Sequence, residues 1–520
     1  MHHDTELAKL EKDFDLEAYR PMSVVWHLRH SILSKLKAGE EVLPDIDGRE
    51  ETKADLIRTI LSGAHPYLIS EEGTGKTRLV RSVARLLPPV PVIKGCPYHD
   101  DPKWDPSLWC SRCRSVEDPV SRFGIEFIPG EARFSRIQGN EYTNEAKLLG
   151  LKDIQAIANG ASPSDPEAFI GTGIFRAHRG ILMIDELPAI RTKVQVLLHP
   201  LLEEQMAVLE EYNWERFVDM ILIATGNPSG FSHVNEIPRP LLDRLELIFM
   251  DMPEAEVEKE IMLKERSLSK PGEYFRNNHG GRLEPNWEPL IGGEALERKV
   301  VVPWWIVEIL SRTVRFSRSC PGLEKSPSIR GGTRAFEHTL SSAEMEGRRV
   351  ANLHDAFMGL RLALRGRIAL RSDFIDFDNP ERTIKRADKV IEDMLRDTLD
   401  ELARHMFRSV ELNRDRFVRE IGQVYSNGGG RALVQGDGQF PELERIIDIL
   451  RRSWSSRLPS SSLSDYERRV FDGGDGVGPE MRGEYADSVL DFVAAGSAVR
   501  GMLTSETQPS GLFVPQRVKL

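Results

Sequence analysis

The chain has 520 residues, 40% hydrophobic and 29% charged, with a formal charge of −11; single cores stop growing near ~250–300 residues, so more than one folded unit is expected, and a collagen-like or wholly disordered chain is excluded. No apolar run is long enough to span a bilayer, the charged N-terminus lacks the apolar core of a secretory signal, and four cysteines are too few for a disulfide scaffold, which points to a cytoplasmic protein. The acidic balance argues against nucleic acid as the main partner.

Residues 1–40 read as helical, with Val24, Val25, Leu28, Ile32 and Leu36 at helical spacing and Gly39 as a stop. From 41 to 253 short apolar runs alternate with amphipathic stretches, the pattern of an α/β domain with a parallel sheet. Residues 66–70, 181–184 and 220–224 read as buried strands, and 77–87 and 193–204 as helices. From 254 to 372 the strand signal fades, and helices are expected at 255–267, 303–316, 332–346 and 353–370, forming a smaller all-α unit. Residues 373–425 read as a charged helical arm, 426–440 as a glycine-rich linker, and 441–520 as a helical and flexible tail. Arg361, Arg365, Arg367 and Arg371 fit a solvated or interface face.

The strongest motif is Ser70-Glu71-Glu72-Gly73-Thr74-Gly75-Lys76-Thr77, followed by Arg78. It matches the phosphate-loop pattern between a strand and a helix, except that Ser70 stands at the first glycine. Gly73 and Gly75 let backbone N–H groups turn around phosphate oxygens at a helix N-terminus. Lys76 is placed to reach the β- and γ-phosphates of ATP, and the Thr77 hydroxyl to ligate Mg2+. Glu71 and Glu72 are compatible with a triphosphate only if they face solvent.

The second motif, Gly180-Ile181-Leu182-Met183-Ile184-Asp185-Glu186, puts two acids at the C-terminal end of a strand, the edge on which phosphate loops open. Asp185 suits Mg2+ through water, and Glu186 suits a general base for the attacking water. A third strand ends at Asn227, whose amide is placed to orient the same water.

Together these pieces resemble the AAA+ ATPases, within them the branch of the magnesium chelatase ATPase subunit and the MoxR proteins. The resemblance covers residues 40–372 and includes Phe134–Gly139 (FSRIQG), residues 173–180, residues 196–204, a β-hairpin at 206–217, and Arg239-Pro240-Leu241-Leu242-Asp243-Arg244. It implies a P-loop AAA+ domain followed by an all-α lid, and ATP hydrolysis in a ring, expected to be a hexamer. It makes Asn227 the first sensor, and Arg244 the arginine finger reaching a neighbouring subunit, with Arg239 as a second candidate. It makes Arg330, in Ser328-Ile329-Arg330-Gly331, the second sensor, with Arg334 as alternate. It also implies a separate partner with an integrin-type metal-binding (VWA) domain, a domain whose D-x-S-x-S motif this chain lacks.

Cys96-x2-His99 and Cys110-x2-Cys113 have the spacing of two chelating pairs for one Zn2+. Asp100 or Asp101 can replace His99, and a metal-free reduced loop or a regulatory disulfide are the other readings. In the chelatase branch the same stretch, about 94–118, is an insertion in the α/β domain. Two other functions stand beside the motor: a nucleic-acid translocase, to which the acidic hairpin tip 210–216 is poorly suited, and a non-hydrolysing ATP-binding scaffold, against which Lys76, Asp185 and Glu186 argue.

Overall fold

The computed structural model describes residues 2–162, 168–209, 214–227, 235–265, 299–375, 379–408, 412–435, 438–473 and 477–517. The tip of the expected hairpin, 210–213, lies outside them. The chain divides into two compact units, Met1–Pro253 and Glu254–Leu520.

The first unit is built on five parallel strands: β1 His65–Ile69, β2 Phe134–Gln138, β3 Gly180–Asp185, β4 Met220–Gly226 and β5 Leu245–Phe249. Their order across the sheet is β5-β1-β4-β3-β2. The three central strands are nearly all apolar because both faces are covered. Successive side chains alternate between faces. Leu68, Ile181, Met183, Ile221 and Ile223 enter one core with Val24, Leu28, Leu56, Leu79 and Val83. Tyr67, Leu182, Ile184, Leu222 and Ala224 enter the other with Phe175, Leu198 and Leu201. Helix α1, Val24–Ala38, closes at Gly39 in the left-handed conformation, as the sequence suggests.

Register sets the functional edge. Ile69 pairs with Gly226, Ala224 with Ile184, and Gln138 with Asp185. The residues that follow β1, β2, β3 and β4 therefore emerge side by side. Beyond the sheet, Met206–Leu209 pairs antiparallel with Trp214–Phe217 as the hairpin that the sequence suggests.

The second unit is helical apart from a short ribbon, Leu323–Lys325 against Ala369–Leu370. Its helices include Trp304–Phe316, Ile329–Met345, Pro380–Arg408 and Pro479–Val499. A single core runs through it from Met262 to Leu512. Of the stretch 426–440, expected to be a glycine-rich linker, residues 426–435 and 438–440 are described and belong to this body. They contain the helix Gly430–Gln435, and a Cβ on Gly430 would lie 2.4 Å from both Asp487 N and Gly483 O. Glycine serves close helix packing there, not chain flexibility. Among the described residues no helix is long and apolar enough to cross a membrane.

Candidate functional site

The loop after β1 turns through Gly73 at φ +72° and Gly75 at φ +94°, conformations that a Cβ disfavours. Gly75 caps helix α2, Lys76–Ala84, whose Leu79, Val80 and Val83 bury its inner face. Ser70 is not among the described residues at positive φ, so a first glycine is not needed there. Its hydroxyl instead staples the loop, 2.6 Å from Thr74 Oγ1. Glu71, Glu72 and Arg78 are exposed, and Thr77 is partly buried. The exposure of both glutamates answers the objection that their charges raise in the sequence.

Lys76 is only 8% exposed. Its Nζ donates to Ser70 O at 2.6 Å, Glu71 O at 3.1 Å, Gly226 O at 3.3 Å and Asn227 Oδ1 at 3.1 Å. Burial pushes its pKa below the usual lysine value, against the opposing pull of Asp185, Glu186, Glu72 and Glu71. The loop of β1 and the end of β4 thus meet at one ammonium.

The acidic pair lies next to them. Asp185 Oδ1 accepts from Thr225 Oγ1 at 2.7 Å, and Oδ2 pairs with the Arg136 guanidinium. Glu186 stands at φ +63°, its N–H donating to Thr225 Oγ1 at 3.0 Å and its Oε2 accepting from Gln138 Nε2 at 3.2 Å. A glutamate in the left-handed region is strained, and such strain concentrates at functional positions. Arg136, Gln138 and Thr225 were not read as site residues. The only signal was that Arg136 and Gln138 fall in the FSRIQG stretch.

The donor set fits a magnesium nucleotide: a glycine loop at a helix N-terminus, a buried ammonium, the Thr77 hydroxyl and the Asp185 carboxylate.

Arg244 is not at this edge. It precedes β5, whose first residue pairs with His65, the first residue of β1. Its guanidinium is held by Pro240 O and by Glu203. Arg239 is exposed on the short helix Arg239–Leu242. Arg330 and Arg334 are exposed on the first turns of the helix Ile329–Met345 in the second unit. In the arginine stripe, Arg365 pairs with Asp388.

The cysteine cluster forms, with one change of membership. Cys96, Cys110 and Cys113 converge with Asp100, with donor atoms all within 4.8 Å of one another. His99 is turned away: its backbone sits at φ +58°, and its Nδ1 lies 3.2 Å from His178 O. The fourth position expected for His99 belongs to Asp100. All four cysteines are free, which leaves no disulfide in the cluster.

A family model described as AAA domain (dynein-related subfamily) matches residues 126–245, which contain β2, β3 and β4. The chain is 34% identical over 158 residues to the magnesium-chelatase 67 kDa subunit of Heliobacterium mobile, covering 29% of this chain and 22% of that protein. It is 30% identical over 204 residues to the magnesium-chelatase 38 kDa subunit of Acidiphilium rubrum, with coverages of 38% and 54%. Against magnesium-chelatase subunit ChlI of Chlorella vulgaris the identity is 26% over 352 residues, with coverages of 66% and 91%. The chain thus spans less than two thirds of the first two relatives and most of the third. A solved assembly of subunits BchI and BchD of magnesium chelatase is similar at 18% identity and a TM-score of 0.33, over 66% of this chain and 97% of that one. An AAA model thus lies over the strands that bear the acidic pair and lead to Asn227, and the chain is similar to several magnesium-chelatase subunits.

Proposed function

We propose that the chain is an ATP hydrolase working in a ring, and that it drives remodelling of, or metal insertion through, a separate partner protein. One observation carries this reading: Lys76 Nζ joins the loop carbonyls to Asn227 Oδ1 on the sheet edge that also presents Asp185 and Glu186. A buried ammonium among carbonyl oxygens is held ready for an anion. The backbone N–H groups from Gly73 to Thr77 bind phosphate, and Lys76 exchanges its carbonyl partners for phosphate oxygens. Thr77 and Asp185 would hold Mg2+, which would supply neutralising charge for the phosphates. Arg136 and Thr225 fix the Asp185 carboxylate. Glu186 accepts a proton from the attacking water, while Asn227 orients that water. Arg244 acts on the site of a neighbouring protomer, and Arg330 is the second sensor.

The magnesium-chelatase relatives support a partner subunit, and the branch resemblance supports a partner with an integrin-type metal-binding domain and a ring of six. The test is Glu186→Gln, which keeps the shape and removes the base. ATP turnover is expected to fall about 10²–10⁴-fold, with nucleotide binding retained. Equal turnover in the two proteins overturns the proposal.

A further inference from the structure

The segment between Ile93 and Ile125 has little regular structure of its own. Its helices, Pro106–Leu108, Ser111–Arg114 and Pro119–Phe123, have three to five residues. Helices that short have no stability of their own. Its core is a satellite cluster of Ile93, Cys96, Trp109, Cys110 and Cys113, fringed by Tyr98, Trp104 and Phe123. Three of its five central members are thiols. So small a core ordinarily needs a staple.

We propose that Cys96, Asp100, Cys110 and Cys113 form a closed structural zinc site. Four ligand atoms within 4.8 Å of one another can share one ion. The Cys96 and Cys110 sulfurs are 3.8 Å apart. That is the edge of a tetrahedron built on Zn–S bonds of about 2.3 Å, and far longer than the ~2.05 Å of a disulfide. The sulfurs also receive the backbone hydrogen bonds a thiolate wants: Asp100 N–H to Cys96 Sγ and Cys113 N–H to Cys110 Sγ, each at 3.4 Å. All four residues are buried, so no position is left open for substrate, and thiolate donors select zinc over magnesium or calcium.

Asp100 completes the set through its own supports. Its Oδ2 accepts from Cys110 N–H at 2.7 Å, and its Oδ1 pairs with Arg216, both side chains almost fully buried. Each oxygen keeps a lone pair for metal, and such outer partners orient a ligating carboxylate. Charge balance also explains the buried arginine. Zinc with three thiolates and a carboxylate carries −2, and Arg216 brings the group to −1. Arg216 belongs to the hairpin strand Trp214–Phe217, so the metal ties the insertion to the hairpin. On binding, the three thiols release their protons to solvent as the Zn–S bonds form.

The experiment is elemental analysis of the full chain, purified without oxygen or added metal, beside Cys110→Ser, Asp100→Ala and His99→Gln. The expected result is about one zinc per chain in the parent and in His99→Gln, near none in Cys110→Ser, and affinity lowered at least ~10-fold in Asp100→Ala. Should Cys110→Ser fail to fold, cobalt loaded into the chelator-stripped parent is expected to give charge-transfer absorption from three thiolates. A parent with neither stoichiometric zinc nor that cobalt band overturns the proposal. So does iron in place of zinc, or zinc retained in Cys110→Ser. Zinc lost from His99→Gln but unaffected in Asp100→Ala overturns the ligand set.

Discussion

His65, at the head of β1, is held neutral by where it sits. Its Nδ1 accepts from Leu222 N–H at 3.2 Å, and burial lowers its pKa from 6.5 to about 4. Between those values the unfolded chain holds the extra proton, so stability rises with pH and is lost as pH falls from 6.5 toward 4. Allowing for partial exposure, the loss between pH 7 and pH 5 is about 1–2 kcal/mol. Asp219 opposes it, its pKa raised by burial to about 6, but it contributes equally to parent and variant. Urea unfolding of His65→Gln should show a smaller drop between those pH values than the parent; equal drops would mean His65 is not the neutral acceptor. Other residues differ in how far local sequence reveals them. Lys76, Asp185, Glu186 and Asn227 were legible because each directly follows a strand or lies in a spaced motif. Arg136, Gln138 and Thr225 were not, because their place depends on how β2, β3 and β4 are registered.

The elements show the same division. The three central strands were read because burial on both faces makes them continuously apolar. The edge strands β2 and β5 were missed: Phe134–Gln138 alternates exposed Arg136 and Gln138 with buried neighbours, and Leu245–Phe249 buries only Leu245 and Ile248, with Glu246 breaking its apolar run. Yet β2 is what fixes the acidic pair. Gly139 N–H donates to Asp185 O at 2.6 Å, and a Cβ on Gly139 would stand 2.2 Å from Glu186 O. Both contacts are backbone, so neither can rotate away. Gly139→Ala is therefore expected to cost about 1–3 kcal/mol and to lower ATP turnover by moving Glu186. Gly366→Ala, with nothing within 4 Å of the added atom, is the control. Denaturation midpoints and turnover of the two variants check this; indistinguishable variants would remove the constraint assigned to Gly139.

At the scale of the whole molecule, the boundary near 254 was readable from the loss of strand signal, whereas the close packing of the described residues of 426–440 was not, since glycines at helix contacts look like linker glycines. The sheet also bears on the arginine finger proposed at Arg244. The loop of residues 70–77 leaves β1 after Ile69, paired with Phe249, while Arg244 precedes Leu245 at the other end of β5. Five strand residues at ~3.3 Å each separate these ends by about 17 Å, beyond the reach of one arginine. A finger so placed can act only across a junction between chains. Lys76→Ala lacks the phosphate-binding ammonium but keeps the finger, and Arg244→Ala lacks the finger but keeps the loop. Each alone should lose about 10³-fold or more in turnover. Mixed in equal amounts before nucleotide is added, they form junctions at random. Half of the sites then carry Lys76, and half of those face an intact Arg244, so roughly one quarter of parental turnover should return. A mixture no faster than the sum of its separate components would place Arg244 outside the hydrolytic site of every protomer.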